Sequence, residues 1–389
     1  MAAASPVSDF RERRVRVLPI DPLLLLATLG LAAASLYVVA TATQDDIPGD
    51  PHYYVTRQAG YVGVGILLML LISRFDYSRL REWKLGVYGL MIGTILLVYA
   101  LGFSARGSKR AIEFGFINFQ ASELGKLLLV LSLSAFVVDR MRRLDDRETT
   151  SRIILLTLIP AMLVIGQPDL GSGLVYLAVA VAVLFVAGTK WTHFAALGAI
   201  AVTAIVVVLV AAPAAGVEVL KPYQVDRLTA FLNPTDDASQ KEGYQVNQSL
   251  TAIGSGGKTG RGDQATQTRL DFLPEHHTDF IFSVVGEELG FVGAAIVLSL
   301  FALLIWRALR ILTMSKNLYG ALIAGGITAM LMFQVFVNVG MTIGIMPITG
   351  VPLPLMSYGG SSVLVTLMAL GVMQSIYARA RETATAKGL

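Results

Sequence analysis

The run "LDFLPEHHTDF" (270–280) gathers Asp271, Glu275, His276, His277 and Asp279 in one short stretch. Carboxylates and imidazoles are the side chains that most readily act as general acid or base near neutral pH. A little upstream, "GSGGKTGRG" (254–262) sets Lys258 and Arg261 among glycines. Cations and exposed backbone N–H groups hold phosphate oxygens, so the two runs together suit acid–base work on a phosphate-bearing substrate. The "GKT" triplet is not a nucleotide-binding P-loop: Ala252 stands where that motif requires its first glycine. A mobile glycine hinge is the plainer reading of this loop. Asp279 also has a plainer role as the N-cap of the helix that follows, although Thr278 would serve equally well. His276 and His277 are expected to face solvent. The histidines lack H-x-x-x-H spacing, so no structural zinc site is expected.

A second group of charges lies in apolar surroundings, where ionisable residues are costly and usually face a cavity. Glu123 and Lys126 are three apart, on one helix face, and can neutralise each other. Asp169 sits in a Pro- and Gly-marked break, "GQPDLGSG". Glu287 and Glu288 follow the proton-transfer run, and the spacing of Asp279, Ser283 and Glu287 predicts one polar stripe on a helix. Two adjacent buried glutamates must be protonated or paired, and Lys126 is a candidate partner. An ion-pair network and a ligand-binding cavity both fit these residues.

The elements that position these groups are membrane helices. The chain is 54% hydrophobic and 15% charged, with a mean hydropathy of +0.65. Stretches near 22–42, 58–73, 85–104, 116–138, 152–167, 170–188, 191–213, 279–306, 318–343 and 358–378 are apolar over roughly the 20 residues needed to span a bilayer. The expectation is an all-α polytopic membrane protein of about ten transmembrane helices, a single membrane domain over residues 1–389. The first span is expected to be a retained helix and not a cleaved signal, because its apolar run is too long. Arg and Lys cluster before the first span and after spans two, four, six, eight and ten, which puts both termini in the cytoplasm. The net charge of +4 is therefore a signal of topology and not of nucleic-acid binding.

On this orientation residues 213–278, between spans seven and eight, form one large extracytoplasmic loop. The short outer loop before span four holds Arg106, Lys109 and Arg110, against the charge rule, and suggests an anionic ligand or lipid phosphates there. "VEVLKPYQVDRLTAFLNP" (217–234) reads as an interfacial helix. The Pro- and Gly-rich run "GIMPITGVPLPLMSYGGSS" (344–362) is broken backbone, tolerated at this depth only against protein or a watery cavity. There are no cysteines, which excludes disulfides and thiol chemistry.

Several longer runs carry a resemblance. "FQASELGK" (119–126), "QPDLGSG" (167–173), "GYQVNQSLTAIGSGG" (243–257), "LDFLPEHHTDFIFSVVGEELGFVG" (270–293) and "PITGVPLPLMSYGGSS" (347–362) resemble blocks of the SEDS family: shape, elongation, division and sporulation. The likeness runs from the first span to the tenth. Its details look more like the elongation branch, RodA, than the division branch, FtsW. Ala121 replaces the usual Pro before Ser-Glu-Leu, and "SKRAI" lacks the usual Trp after Arg.

The resemblance implies a glycosyltransferase that polymerises lipid II, an undecaprenyl-pyrophosphate-linked disaccharide-peptide, into peptidoglycan. It implies work at the outer face of the bacterial cytoplasmic membrane, beside a class B penicillin-binding protein that crosslinks the product. It assigns Asp279 as catalytic, Asp271 as a supporting acid, and Glu123 and Lys126 as a cavity pair. The expected chemistry is general-base attack of a sugar hydroxyl with one carboxylate. Lys109, Arg110, Lys258 and Arg261, or a divalent cation held by carboxylates, would stabilise the leaving pyrophosphate, with Glu287 in the same cavity. A flippase for lipid-linked sugars is the alternative, since buried Glu and Lys in broken helices also suit a transporter.

Overall fold

The ends of the first helix show how short-range chemistry becomes architecture. In a computed structural model that describes residues 19–105, 108–114, 117–216, 224–225, 227, 231, 240–269 and 272–386, α1 runs over Pro22–Ala42. Asp21 is its N-cap, accepting from Leu24 N at 2.9 Å, and Pro22 opens the first turn where no N–H is needed. The same carboxylate is buried against Arg307, while Asp21 N donates to Gln374 Oε1 at 2.7 Å. One aspartate thus ties three helices at one end of the bundle.

The chain continues through α2 (Tyr53–Arg74), α3 (Lys84–Leu101), α4 (Ala121–Asp139), α5 (Arg147–Gly166), α6 (Leu170–Val186) and α7 (Trp191–Ala214). After the amphipathic α8 (Gln240–Ser255) come α9 (Ile281–Met314), α10 (Leu318–Thr342) and α11 (Gly360–Ala386). Nine of the described helices are long and apolar enough to cross a membrane, and the shorter apolar α6 makes a tenth. The all-α polytopic reading therefore holds. Burial sorts the helices: 83% of the apolar window of α4 is covered by protein and none of that of α7, so α4 is central and α7 faces lipid. Small residues let partners close: Gly65 on α2 backs onto Leu367, and a Cβ at Gly371 on α11 would lie 2.8 Å from Met69 O.

Two expected spans are shorter than hydropathy suggested. The ends of the stretches 85–104 and 116–138 belong instead to a small antiparallel sheet of β1 (Phe103–Ala105), β2 (Ser108–Phe114) and β3 (Ile117–Phe119), in that order. Gly102 N closes α3 by bonding Val98 O at 2.8 Å, and α4 starts only at Ala121. The stripe through Asp279 is corrected likewise. Helix α9 begins at Ile281, so Asp279 lies before it and only Ser283 and Glu287 share its face. Of the expected interfacial helix at 217–234, most lies outside the described residues.

Helix α9 is broken at Gly290 (φ 65°, ψ −162°). At roughly 1.5 Å per residue the break lies about 14 Å from its N-terminal end, where lipid could not satisfy the interrupted hydrogen bonds. The glycine-rich loop does so. Lys258 O and Gly257 O accept from Val292 N (3.1 Å) and Phe291 N (2.9 Å), and Arg261 N donates to Glu287 O (2.8 Å). The approach needs glycine: a Cβ at Gly260 (φ +86°) would sit 2.0 Å from Glu288 O.

Candidate functional site

Residues 272–280 carry the chain back into the bundle through a tight turn at Glu275, which adopts φ 60°. Thr278 N and Phe280 N both donate to Glu275 O, at 3.1 and 3.3 Å. The Thr278 hydroxyl donates to Glu275 Oε2 at 3.0 Å. The N-cap of α9 is Phe280, without a side-chain capping bond, so neither Thr278 nor Asp279 fills that role.

Three successive carbonyls of this segment are held from the other side. Tyr358 N donates to His277 O (2.9 Å), Ser357 Oγ to Thr278 O (2.6 Å) and Asn338 Nδ2 to Asp279 O (2.9 Å). Asn338 also donates to Val351 O at 2.8 Å, which locks the 343–359 loop to the same point. The Asp279 carboxylate lies over Gly350 (φ +72°), where a Cβ would stand 3.5 Å from Oδ2. Gly350 thus supplies the left-handed turn that runs beside the acid. Asn338 and Ser357 were not anticipated from sequence; an amide within the apolar Leu318–Thr342 stretch was the available signal.

A second cluster abuts the same loop. Lys126 Nζ lies 2.6 Å from Glu123 Oε1 with side-chain exposures of 1% and 4%. Asp169 caps α6 through Ser172 N (3.0 Å) and accepts from Ser122 Oγ (2.7 Å) and Gln120 Nε2 (3.1 Å). Gly171 presses on this wall: a Cβ there would be 2.8 Å from Thr349 O and 2.5 Å from Val351 Cγ2. Residues 349–351 therefore lie against both the start of α6 and Asp279.

Glu287 belongs elsewhere. Its carboxylate accepts from Thr266 N (2.8 Å), Gln267 N (2.9 Å), Thr268 N (3.0 Å) and Thr268 Oγ1 (2.6 Å), capping the helical turn Thr266–Arg269. Glu288 receives a hydrogen bond from Thr41 of α1. The expected pairing of these acids with Lys126 is thus corrected: Lys126 bonds Glu123 one turn away, and adjacent helix positions point Glu287 and Glu288 toward different neighbours. Lys258 and Arg261 are exposed, with Arg261 Nη1 3.2 Å from Thr266 Oγ1. Lys109 and Arg110 lie on β2, Lys109 in register with Ser104. Asp271 and Arg106 fall outside the described residues.

Aromatic rings surround the mouth. His277 stacks 4.9 Å from Tyr54 and 5.8 Å from Tyr358. Burial raises the Tyr358 hydroxyl above its ordinary range, with Tyr61 adding to the shift. His276 is buried, contrary to the expectation of a solvent-facing loop residue, because Leu273 and Asp46 enclose it. Among the described residues, Asp46, His276 and His277 offer ligand atoms within 4.8 Å of one another.

Known proteins match over nearly the whole length. The family described as cell cycle protein, its model named for FtsW, RodA and SpoVE, matches residues 17–382. Stage V sporulation protein E of Bacillus subtilis is 35% identical, with 92% of this chain and 96% of that protein covered. Peptidoglycan glycosyltransferase MrdB of Escherichia coli is 36% identical, with 92% and 93% covered. A chain from a peptidoglycan synthase complex, described as coordinating polymerization and crosslinking, superposes with a TM-score of 0.78 at 32% identity, covering 93% of this chain and 99% of its own. Rod shape determining protein RodA of Thermus thermophilus gives 0.66 at 30% identity, covering 94% and 98%.

Proposed function

We propose a mechanism that starts from the family: this chain belongs to the SEDS proteins, the FtsW, RodA and SpoVE family, with its likeness to RodA in both sequence and fold. It is a multi-pass membrane protein and a peptidoglycan glycosyltransferase. In the proposed reading the substrate is lipid II, the reaction runs at the outer face of the bacterial cytoplasmic membrane, and the partner is a class B penicillin-binding protein. Residues 213–278 form the extracytoplasmic loop of a single domain.

Asp279 is the proposed general base. It takes the proton from the acceptor sugar's 4-hydroxyl as that oxygen attacks the anomeric carbon of a second, lipid-pyrophosphate-linked sugar. The pyrophosphate leaves with its electron pair, and attack from the opposite face inverts the anomeric centre. One carboxylate suffices because the leaving group needs no proton. Lys258 and Arg261, with Lys109 and Arg110, are proposed to meet the pyrophosphate, and Asp271 to support the base. Glu123 and Lys126 keep the adjoining cavity wall in shape.

One observation carries this reading. Asp279 stands where the outer loop re-enters the bundle, its backbone fixed by Asn338 and its side chain over a glycine and not on a helix cap. Asp279→Asn preserves shape but cannot accept a proton at neutral pH. Glycan-chain synthesis from lipid II by the purified variant with its transpeptidase should fall by roughly 10²–10⁴-fold while melting temperature and complex formation stay unchanged. Near-normal synthesis would remove Asp279 from the chemistry.

A further inference from the structure

The geometry points to a divalent metal site of the zinc class at the outer mouth of the bundle, made by Asp46, His276 and His277. His276 Nε2 lies 3.4 Å and His277 Nδ1 3.8 Å from the same oxygen, Asp46 Oδ2. All three ligand atoms fall within 4.8 Å of one another. Around a tetrahedral ion with bonds of about 2.0–2.2 Å, neighbouring ligand atoms stand about 3.3–3.6 Å apart. The two histidine nitrogens, 3.4 and 3.8 Å from Asp46 Oδ2, already lie close to that range.

The tautomer of His276 supports the assignment. Its Nδ1 is 3.1 Å from Leu273 O, a carbonyl that can only accept, so Nδ1 carries the hydrogen. In the neutral ring Nε2 then presents a lone pair toward a carboxylate oxygen. Two acceptors at that distance need a positive charge between them, either a proton or a metal ion. A backbone carbonyl on the far nitrogen is the arrangement that orients metal-bound imidazoles. The pocket also holds the second ring in place, since His277 is wedged between Tyr54 and Tyr358 and lies edge-on to His276 at 5.1 Å.

Two imidazoles and one carboxylate select zinc and its first-row neighbours over magnesium or calcium, which prefer oxygen donors. Three protein ligands leave a fourth position open, as in sites that hold water or a substrate oxygen. The site would also clip the loop after α1, which carries Asp46, to the segment that carries Asp279 two residues beyond His277. It is a positioning device, and its existence does not depend on which reaction the protein catalyses.

The test is metal content of the full purified chain, stripped with chelator, dialysed against zinc and measured by elemental analysis. Wild type should retain about one ion per chain, while Asp46→Asn, His276→Gln and His277→Gln each lose it. Cobalt(II) loaded in place of zinc should give a visible ligand-field band in wild type and none in His277→Gln. Melting in chelator, where wild type and Asp46→Asn should agree, establishes that the variants are folded; added zinc should raise the melting temperature of wild type alone. No zinc on wild type would mean that a proton bridges Nε2 and Oδ2, and equal zinc on wild type and Asp46→Asn would put the ion elsewhere. Either result overturns the proposal.

Discussion

Asp279, just before α9, and Glu287, in its second turn, are eight residues apart, yet the fold treats them oppositely. Glu287 is surrounded by donors: three consecutive amides and a hydroxyl converge on its two oxygens. At Asp279 the fold takes hold of the backbone carbonyl and sets the carboxylate over a glycine. An acid whose oxygens are met by three main-chain amides and a hydroxyl holds a loop in place. At Asp279 the bond from Asn338 Nδ2 acts on the main chain, through its carbonyl, and the carboxylate borders Gly350. On the proposed reading Glu287 is structural and Asp279 chemical, and the contrast is open to test.

The sharpest way to break that contrast is to exchange the consequences. Asp279→Asn should lower polymerisation by roughly 10²–10⁴-fold with melting unchanged, as above. Lys126→Ala comes next and should do the reverse at the neighbouring cluster. It leaves Glu123 buried without its 2.6 Å partner, at a cost of about 3–5 kcal/mol. Thermal melting of detergent-purified protein reads it directly. An unchanged melting curve with lost synthesis would move Lys126 from the scaffold to the substrate.

The loop lock offers two smaller perturbations. Gly260→Ala forces a Cβ to within 2.0 Å of Glu288 O at a φ that side chains avoid, so about 3 kcal/mol of stability should be lost. Glu287→Gln keeps one acceptor oxygen but turns an NH₂ toward amide donors, and about 1.5–3 kcal/mol should go with it. Synthesis per folded molecule should stay within a few-fold of wild type for Glu287→Gln. A drop comparable to that of Asp279→Asn would erase the distinction between the two acids.

What the sequence revealed follows the range of the interactions. The helices were legible because each carries its own apolar signal over roughly 20 residues. The Glu123–Lys126 pair was legible because both partners lie one turn apart on α4. The partners of Glu287 were not, since backbone amides belong to every residue and Thr266–Thr268 carry no distinguishing side-chain pattern. The small sheet was missed because its first and last strands extend apolar runs, and hydropathy averages over the change of direction. Asp46 joins His276 and His277 only through the packing of the bundle, across more than half the chain. The spacing of the histidines along the chain argued against a structural zinc site, and it carries no information on a juxtaposition made by packing.

The smallest expected effect concerns Lys258 and Arg261. Their loop is not a free hinge: Gly260 N bonds Gly256 O at 2.9 Å, Arg261 N bonds Glu287 O, and Gly257 O and Lys258 O accept from the second half of α9. With these main-chain bonds holding the loop against the helix break, the exposed side chains of Lys258 and Arg261 supply the positive charge that would meet a lipid pyrophosphate. A charge-assisted bond to phosphate is worth roughly 1.5–3 kcal/mol when desolvated and less at an exposed site. Replacing both by Gln should therefore weaken lipid II binding by about ten-fold at low salt, with melting unchanged because the loop's main-chain bonds persist. The difference should shrink as salt rises, since exposed charges are screened within about 10 Å at 0.1 M. Binding titrations of both proteins at two salt concentrations measure it. Equal affinity at low salt would leave the loop with one task, closing the break in α9, and would shift the pyrophosphate toward Lys109 and Arg110.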